Sequence, residues 1–348
     1  MPTITLAPTG QTFAAGSDES VLAAALRAGL NLPHSCKGGH CASCRARVLA
    51  GSCDYPGERP AGLTQDEADA GYVLLCQARA RTDLVVEARE ARPAPDVEVK
   101  SLPCRIERMT LIASDVMAVC LRLPAVEDLH FRPGQYVDVM QSQGRRRSFS
   151  IASAPADGRS LELHVRRASR SGFTGQVFDA LHPGTLLRIE GPLGQFWLRT
   201  ESSRPALMVG GGTGYAPLRS MLRHLVATGD RRPVTLYWGV RGERDLYEDD
   251  WLRALVADRP RFAYRPVLSD APDGTPGWQG RRGVVHEAVL ADHRDLAGFD
   301  VYASGPPAMI EAIRSSFPDH GLPRQQLYFD SFDYAPDTLA KLQQGPPA

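Results

Sequence analysis

Cys36, Cys41, Cys44 and Cys76 are the residues of this 348-residue chain whose type and spacing could do the most chemistry. They stand as Cys-x4-Cys-x2-Cys with a distant fourth. Two irons take four thiolates in all, and this is the spacing that delivers them to a [2Fe–2S] cluster. A short loop wraps three sulfurs around one end, and a remote segment returns the last. Lys37-Gly38-Gly39-His40 suits such a loop, because adjacent glycines let backbone N–H groups turn toward sulfur. Cys41-x2-Cys44 taken alone would also fit half a zinc site or a thioredoxin-like redox pair. Zinc calls for a second close pair, and Cys76 stands alone; a redox pair would need neither Cys36 nor Cys76. A Rieske centre needs two histidine ligands, and neither His34 nor His40 has Cys-x-His spacing. The cluster reading makes the chain a carrier of single electrons.

The elements around the cysteines are legible as a small α+β unit over 1–91. Thr3 to Phe13 alternates and turns at Thr9-Gly10, as a hairpin does. A helix follows, capped by Ser17 or Asp18, striped by Val21, Leu22, Ala25 and Leu26, and stopped by Gly29. Arg45 to Leu49 reads as a strand, Thr64-x-x-Glu67 as a capping box, and Val73-Leu74-Leu75 and Leu84-Val85-Val86 as apolar strand segments. The Pro-containing run within 92–101 reads as a stiff linker. Composition limits the alternatives. Formal net charge is zero, so no basic field argues for nucleic acid or anionic lipid. Seven cysteines are an odd number and no disulfide framework for a chain of this length; Cys53, Cys104 and Cys120 read as inert buried thiols. The N-terminus has no basic start or long apolar core, and no stretch of 18 apolar residues exists, so neither a secretory signal nor a membrane span is expected. A reducing cytoplasm fits both readings.

A second region, 102–200, is strand-rich: Val116 to Leu123, Tyr136 to Met140, Ser148 to Ala152, Leu161 to Val165 and Leu186 to Glu190. Many short strands with turn residues between them suggest an antiparallel barrel or sandwich. Arg147-Ser148-Phe149-Ser150 sits on one strand in a basic patch with Arg145 and Arg146. Charge alone would fit a solvated strand end equally well. Further on, Ser171-Gly172-Phe173-Thr174-Gly175 leads into a helical run, where small residues with free N–H groups make an anion site. An arginine on one segment and a helix start on another could clamp a dinucleotide pyrophosphate. The Phe149 ring could lie against an isoalloxazine, with Ser150 near its N5.

These residues resemble the flavin motif Arg-x-Tyr/Phe-Ser/Thr of the ferredoxin–NADP reductase superfamily. The order of segments resembles the ferredoxin-fused reductase components of bacterial Rieske oxygenases, of the benzoate dioxygenase type, and the CDP-6-deoxy-glucoseen reductases. The resemblance spans about residues 3 to 332. It implies a β-grasp [2Fe–2S] domain, an antiparallel β-barrel flavin domain and an α/β parallel-sheet nicotinamide domain. It places Arg147 at the flavin phosphates, Phe149 at the ring system and ribityl chain, and Ser150 at the N5 edge. Gly172, Phe173 and Thr174 match its pyrophosphate turn, and Ser148, His164 and Val165 complete the flavin set. Members with the ferredoxin domain first are FAD users, which implies FAD here. Where members carry tyrosine, Phe149 lacks a hydroxyl.

From Ala206 onward strands and helices alternate, over 201–334 with a tail at 335–348, as in a βαβ parallel sheet. After Ala206–Val209 comes Gly210-Gly211-Gly212-Thr213-Gly214-Tyr215-Ala216-Pro217. Glycines between strand and helix let the backbone approach a pyrophosphate. The full dinucleotide fingerprint fails at Tyr215, so a structural turn is the alternative. Gly-Gly-Thr-Gly-x-Ala-Pro is, however, what the superfamily uses, which points to Gly211, Gly212, Thr213 and Gly214. At the next strand end an acidic residue would read the ribose of NADH; Arg241 stands there, with Arg244, Glu243 and Asp245 nearby. Arginines could read a 2′-phosphate, so NADPH is possible, while the resemblance favours NADH. Ser304-Gly305-Pro306-Pro307 resembles the family's Cys-Gly-Pro-Pro, which borders the nicotinamide, with serine replacing cysteine. Ser150 and Ser304 are thus the two candidates beside the reacting atoms. Phe329 to Phe332 could cover that site or pack in the core. The implied partner is a protein acceptor, a terminal oxygenase; a deoxysugar dehydratase and a zinc-stabilised interaction module are the competing readings.

Overall fold

The computed structural model describes residues 1–30, 32–34, 38–39, 44–60, 62–88, 97–141, 145–168, 172–270 and 277–332. Contacts divide the chain into two compact units, Met1–Val97 and Glu98–Ala348. In the first, β1 (Thr3–Ala7) and β2 (Thr12–Ala14) form the expected hairpin, followed by α1 (Val21–Arg27). Then come β3 (Arg45–Ala50), β4 (Cys53–Asp54), α2 (Gln65–Asp69), β5 (Tyr72–Leu74), β6 (Arg79–Ala80) and β7 (Leu84–Glu87). The main sheet runs β2-β1-β7-β3-β5, and β1 pairs parallel with β7 across the whole unit. Ile4, Leu6, Val21, Leu22, Leu74, Leu84 and Val86 pack between sheet and α1. Cys44 and Cys76 belong to this same core.

The cap of α1 differs from expectation. It is Ser20, whose hydroxyl accepts from Ala23 N–H at 3.2 Å, rather than Ser17 or Asp18. The helix starts there because its first free donors find remote partners: Val21 N–H bonds Ala78 O and Leu22 N–H bonds Leu75 O, both at 2.9 Å. These satisfy orphan groups that a local cap would otherwise have to meet. The capping box of α2 forms as read, Thr64 and Glu67 bonding reciprocally.

The second unit opens with a barrel: β8 (Lys100–Ala113), β9 (Val116–Arg122), β10 (Tyr136–Met140), β11 (Arg146–Ser150), β12 (Ser160–Arg166), α3 (Phe173–Asp179) and β13 (Leu186–Leu193). The order β11-β10-β13-β8-β9-β12 is antiparallel throughout. An Ile151–Leu163 bridge joins the two edges and closes it. Strand β8 was not among the strands read from sequence, and it begins at Lys100, inside the segment taken as linker. Its alternation is real, with Leu102, Cys104 and Ile106 buried between exposed neighbours, but Pro103 and the charges Arg105, Glu107 and Arg108 interrupt the text.

The chain then builds a parallel sheet: β14 (Ala206–Gly211), α4 (Tyr215–Thr228), β15 (Val234–Val240), α5 (Asp249–Asp258), β16 (Phe262–Leu268), β17 (Arg281–Arg282), α6 (Val285–Asp292), β18 (Asp300–Gly305), α7 (Pro307–Ser316) and β19 (Leu327–Ser331). The order β17-β16-β15-β14-β18-β19 reverses direction of growth at β14, beside which the Gly-rich turn lies. In such sheets ligands bind outside the carboxyl ends of the strands at this switch point. Strand β19 takes up the segment that includes Phe329, whose ring packs partly buried against the core; Phe332 N–H bonds Gly305 O at 2.9 Å. Among the described residues no helix is long and apolar enough to cross a membrane.

Candidate functional site

Strands β3 and β5 bring the ends of two cysteine-bearing segments together. Arg45, which follows Cys44, pairs with Leu74, and Leu75 N–H donates to Cys44 O at 3.1 Å. Cys44 and Cys76 are therefore neighbours across one end of the sheet, and both are buried. Gly39 itself has no room for a larger residue. Gly39 has φ +83°, and a Cβ there would come within 2.9 Å of Gln77 and Pro60. Tyr55 supports the same corner, its hydroxyl accepting Leu74 N–H at 3.2 Å. Two buried thiols on paired segments at one end of the sheet fit a cluster. Cys36 and Cys41, with Lys37 and His40, lie outside the described residues. Among the other thiols, burial pushes Cys104 up to about 12 and also raises Cys53 and Cys120, so they are inert at neutral pH.

On the barrel, β11 carries the flavin motif between β10 and the closing bridge. Arg147 stands opposite Val139, Phe149 opposite Val137 and Ser150 opposite Tyr136. Phe149 leans its ring on Phe173, centroids 5.6 Å apart. Ser150 is buried. The Ser148 hydroxyl donates to the buried carboxylate of Asp138 at 2.6 Å. Ser148 thus fixes the strand, and Asp138, missed in the sequence, is its anchor. Gly172 precedes α3 with φ +81° and open space around its α-carbon, and no side chain caps the helix that Phe173 and Thr174 open. Val165 and Phe173 point into the barrel interior with Val119, Leu163 and Val177. The His164 ring is also turned away from solvent, with Nε2 3.0 Å from Glu162 Oε1 and Nδ1 3.1 Å from Tyr247 OH. A cofactor at these three positions would meet backbone rather than side chain.

Arg147→Ala is expected to release FAD on dilution. A hydrogen bond to a charged group contributes about 1.5–3 kcal/mol, so affinity should fall roughly 10- to 100-fold. Flavin fluorescence in the filtrate of a diluted sample measures it, and stoichiometric retention would exclude Arg147 from the flavin site.

The turn after β14 is built for a close approach. Residues Gly212–Gly214 form a single tight turn and Gly212 has φ +54°. A Cβ on Gly211 would sit 2.8 Å from Met309 Sδ, and one on Gly214 would sit 2.0 Å from Ser304 O. The turn is pressed against β18 at Gly214 and against the start of α7 at Gly211, and Thr213, half-buried, supplies its one hydroxyl. On its outer side the Arg166 guanidinium from β12 lies 2.7 Å from where a Gly212 Cβ would be. Arg166, also paired with Asp115 at 3.1 Å, was not singled out in the sequence. Ser304 is fully buried, and among the described residues its hydroxyl has no hydrogen-bond partner. An orphaned hydroxyl at the carboxyl end of a central strand, beside a glycine-rich turn, fits a dinucleotide. Gly305 is buried, while Pro306 is exposed at the start of α7. Arg241 is exposed just past β15, whereas the Asp245 carboxylate is engaged by Gly242 N–H at 3.1 Å.

Residues 4–81 match the 2Fe-2S iron-sulfur cluster binding domain, 103–197 the oxidoreductase FAD-binding domain and 208–315 the oxidoreductase NAD-binding domain. With an α+β cluster unit, a closed flavin barrel and a parallel dinucleotide sheet in one chain, these define an NAD(P)H-dependent electron-transfer oxidoreductase. The chain belongs to the ferredoxin-fused reductases of the ferredoxin–NADP reductase superfamily. It is 36% identical over 332 residues to the CDP-6-deoxy-L-threo-D-glycero-4-hexulose-3-dehydrase reductase of Yersinia pestis, covering 94% of this chain and 98% of that protein. It is 32% identical over 345 residues to the phenol 2-monooxygenase reductase component DmpP of Pseudomonas sp. strain CF600, covering 96% and 95%. The solved Amycolatopsis cytochrome P450 reductase GcoB superposes with a TM-score of 0.75 at 32% identity, over 95% of this chain and 99% of that one.

Proposed function

We propose that this chain is the reductase component of an oxygenase system, taking hydride from NADH and delivering single electrons to a terminal oxygenase. The three groups supply a hydride donor, a flavin that accepts electrons in pairs and releases them singly, and a one-electron carrier. The protein's part is to hold each. Cys36, Cys41, Cys44 and Cys76 would ligate the irons. Arg147 and the Gly172–Thr174 segment would hold the FAD phosphates, with Phe149 and Ser150 at the ring. Gly211 to Gly214 would cradle the nicotinamide dinucleotide, with Ser304, Gly305 and Pro306 around the nicotinamide and Arg241 toward the adenosine. The observation that carries the reading is the close approach of the glycine-rich turn after β14 to the buried Ser304 of β18, whose hydroxyl has no partner among the described residues. A cytoplasmic setting follows from thiols that must stay reduced. The match of 4–81 to a 2Fe-2S domain speaks against a zinc-stabilised module.

A second reading makes the acceptor a sugar-nucleotide dehydratase, favoured by the 36% identity to the Yersinia pestis reductase against 32% to the phenol 2-monooxygenase component. An anaerobic titration with NADH, followed optically and by electron paramagnetic resonance, is expected to bleach the flavin and raise the signal of a reduced cluster. Mixing the reduced protein with a purified oxygenase component or a purified dehydratase, each with its substrate, then decides the acceptor by which one reoxidises the reduced protein. Colourless, iron-free protein after anaerobic reconstitution would end the proposal.

A further inference from the structure

A buried ionic cluster joins the flavin barrel to the dinucleotide sheet, and Arg219 of α4 stands at its centre. Arg219 Nε lies 2.9 and 2.8 Å from the two carboxylate oxygens of Glu248. Its Nη1 donates to Ala152 O at 3.0 Å and lies 3.2 Å from Glu162 Oε1. The side chain is only 10% exposed. Burying a guanidinium between two carboxylates adds little net stability, since desolvation offsets much of the attraction. What such a fork does supply is a specific geometry.

That geometry spans the two halves of the reaction. Helix α4 opens at Tyr215, directly after the Gly212–Gly214 turn. Tyr215 donates its hydroxyl to Glu248 at 2.7 Å and stacks on Trp238, centroids 4.1 Å apart. Trp238 Nε1–H in turn donates to Gly212 O at 2.9 Å. Arg219 is one helical turn further on the same face, and it grips Ala152, just beyond the flavin strand. Ser220 adds a bond to Ser153 O at 2.6 Å. From the other side Glu162 holds the His164 ring, which meets Tyr247, and Tyr247 packs edge-on against Trp238 at 4.9 Å. Burial would raise Glu162, but the His164 contact and Arg219 outweigh it and hold the carboxyl at about 2, so it is ionised at neutral pH.

We propose that Arg219 is a positioning residue for hydride transfer, holding the turn Gly211–Gly214 at a fixed offset from the flavin strand β11. This rests on the reading that the turn takes NADH and β11 takes FAD. Flavin reduction by NADH is followed by stopped flow in the full chain loaded with FAD and cluster. In Arg219→Met the rate at saturating NADH is expected to fall about tenfold or more, because small misplacements of reacting groups are costly. Half-saturation should change far less, flavin content should stay normal, and the long-wavelength absorbance of the stacked flavin–nicotinamide pair should weaken. Arg219→Lys should recover part of the rate. An unchanged limiting rate, or a rise in half-saturation alone, overturns the proposal. If Arg219→Met does not fold, Glu162→Gln decides, with a smaller loss of limiting rate expected and an unchanged rate overturning the idea. A wild-type flavin that NADH does not reduce would instead sink the underlying reading, and the proposal with it.

Discussion

Cys76→Ser should abolish NADH-dependent reduction of cytochrome c while leaving reduction of ferricyanide near the wild-type rate. Ferricyanide takes electrons from reduced flavin directly, whereas a one-electron protein acceptor draws on the cluster. The residues proposed for the two activities fall in different units. Cys76 lies in the core of the unit Met1–Val97, and the proposed flavin and nicotinamide residues all lie in Glu98–Ala348. Losing a mere supporting contact weakens a metal site about 10- to 100-fold, and losing the thiolate should cost cytochrome c reduction at least that much. The ratio of the two rates, read beside iron content, is the measurement. Equal loss of both would mean that the cluster holds the protein together rather than conducting.

What could be read in the sequence follows from the range of the interactions concerned. The Gly-rich turn and the capping box of α2 are local, and they stand in the structure at the same residues; of the four cysteines the described residues include Cys44 and Cys76, both buried. The parallel strands β14, β15, β16 and β18 were legible because strands buried on both faces read as apolar runs. Strand β8 was not, since its edge-facing charges and Pro103 hide a period of two. Strand β19 was not, because its aromatics suited a lid as well as a strand. The start of α1 moved to Ser20 because carbonyls of Leu75 and Ala78, remote in sequence, meet its first donors. The ionic cluster was invisible for the same reason. Glu162, Arg219 and Glu248 each look like a solvated residue on its own element, and only packing of β12 against α4 and α5 gives them partners. His164 shows the limit most clearly. It was expected in the flavin set, and its ring is committed to Glu162 and Tyr247.

The largest effect on the other half of the molecule is expected from a single methyl group. Gly214 has an ordinary helical φ of −59°, so alanine there meets no backbone strain. The obstacle is contact: its Cβ would stand 2.0 Å from Ser304 O, 2.5 Å from Ser304 C and 2.8 Å from Gly305 Cα. These are backbone atoms of a central strand and cannot swing aside as a flexible side chain would. The turn must then move off β18, and with it the N–H groups that would face the pyrophosphate. A displacement on the order of 1 Å costs about 100-fold in rate when it misaligns reacting groups. Gly214→Ala should accordingly cut flavin reduction by NADH about 100-fold, with FAD and iron content unchanged, since both are held elsewhere. Gly229→Ala is the control. That glycine ends α4 with φ +67° and open space around it, so alanine costs about 1 kcal/mol of strain without moving the turn. Comparable loss in both variants would show that sheet stability, not the fit of turn to strand, governs the reaction with NADH.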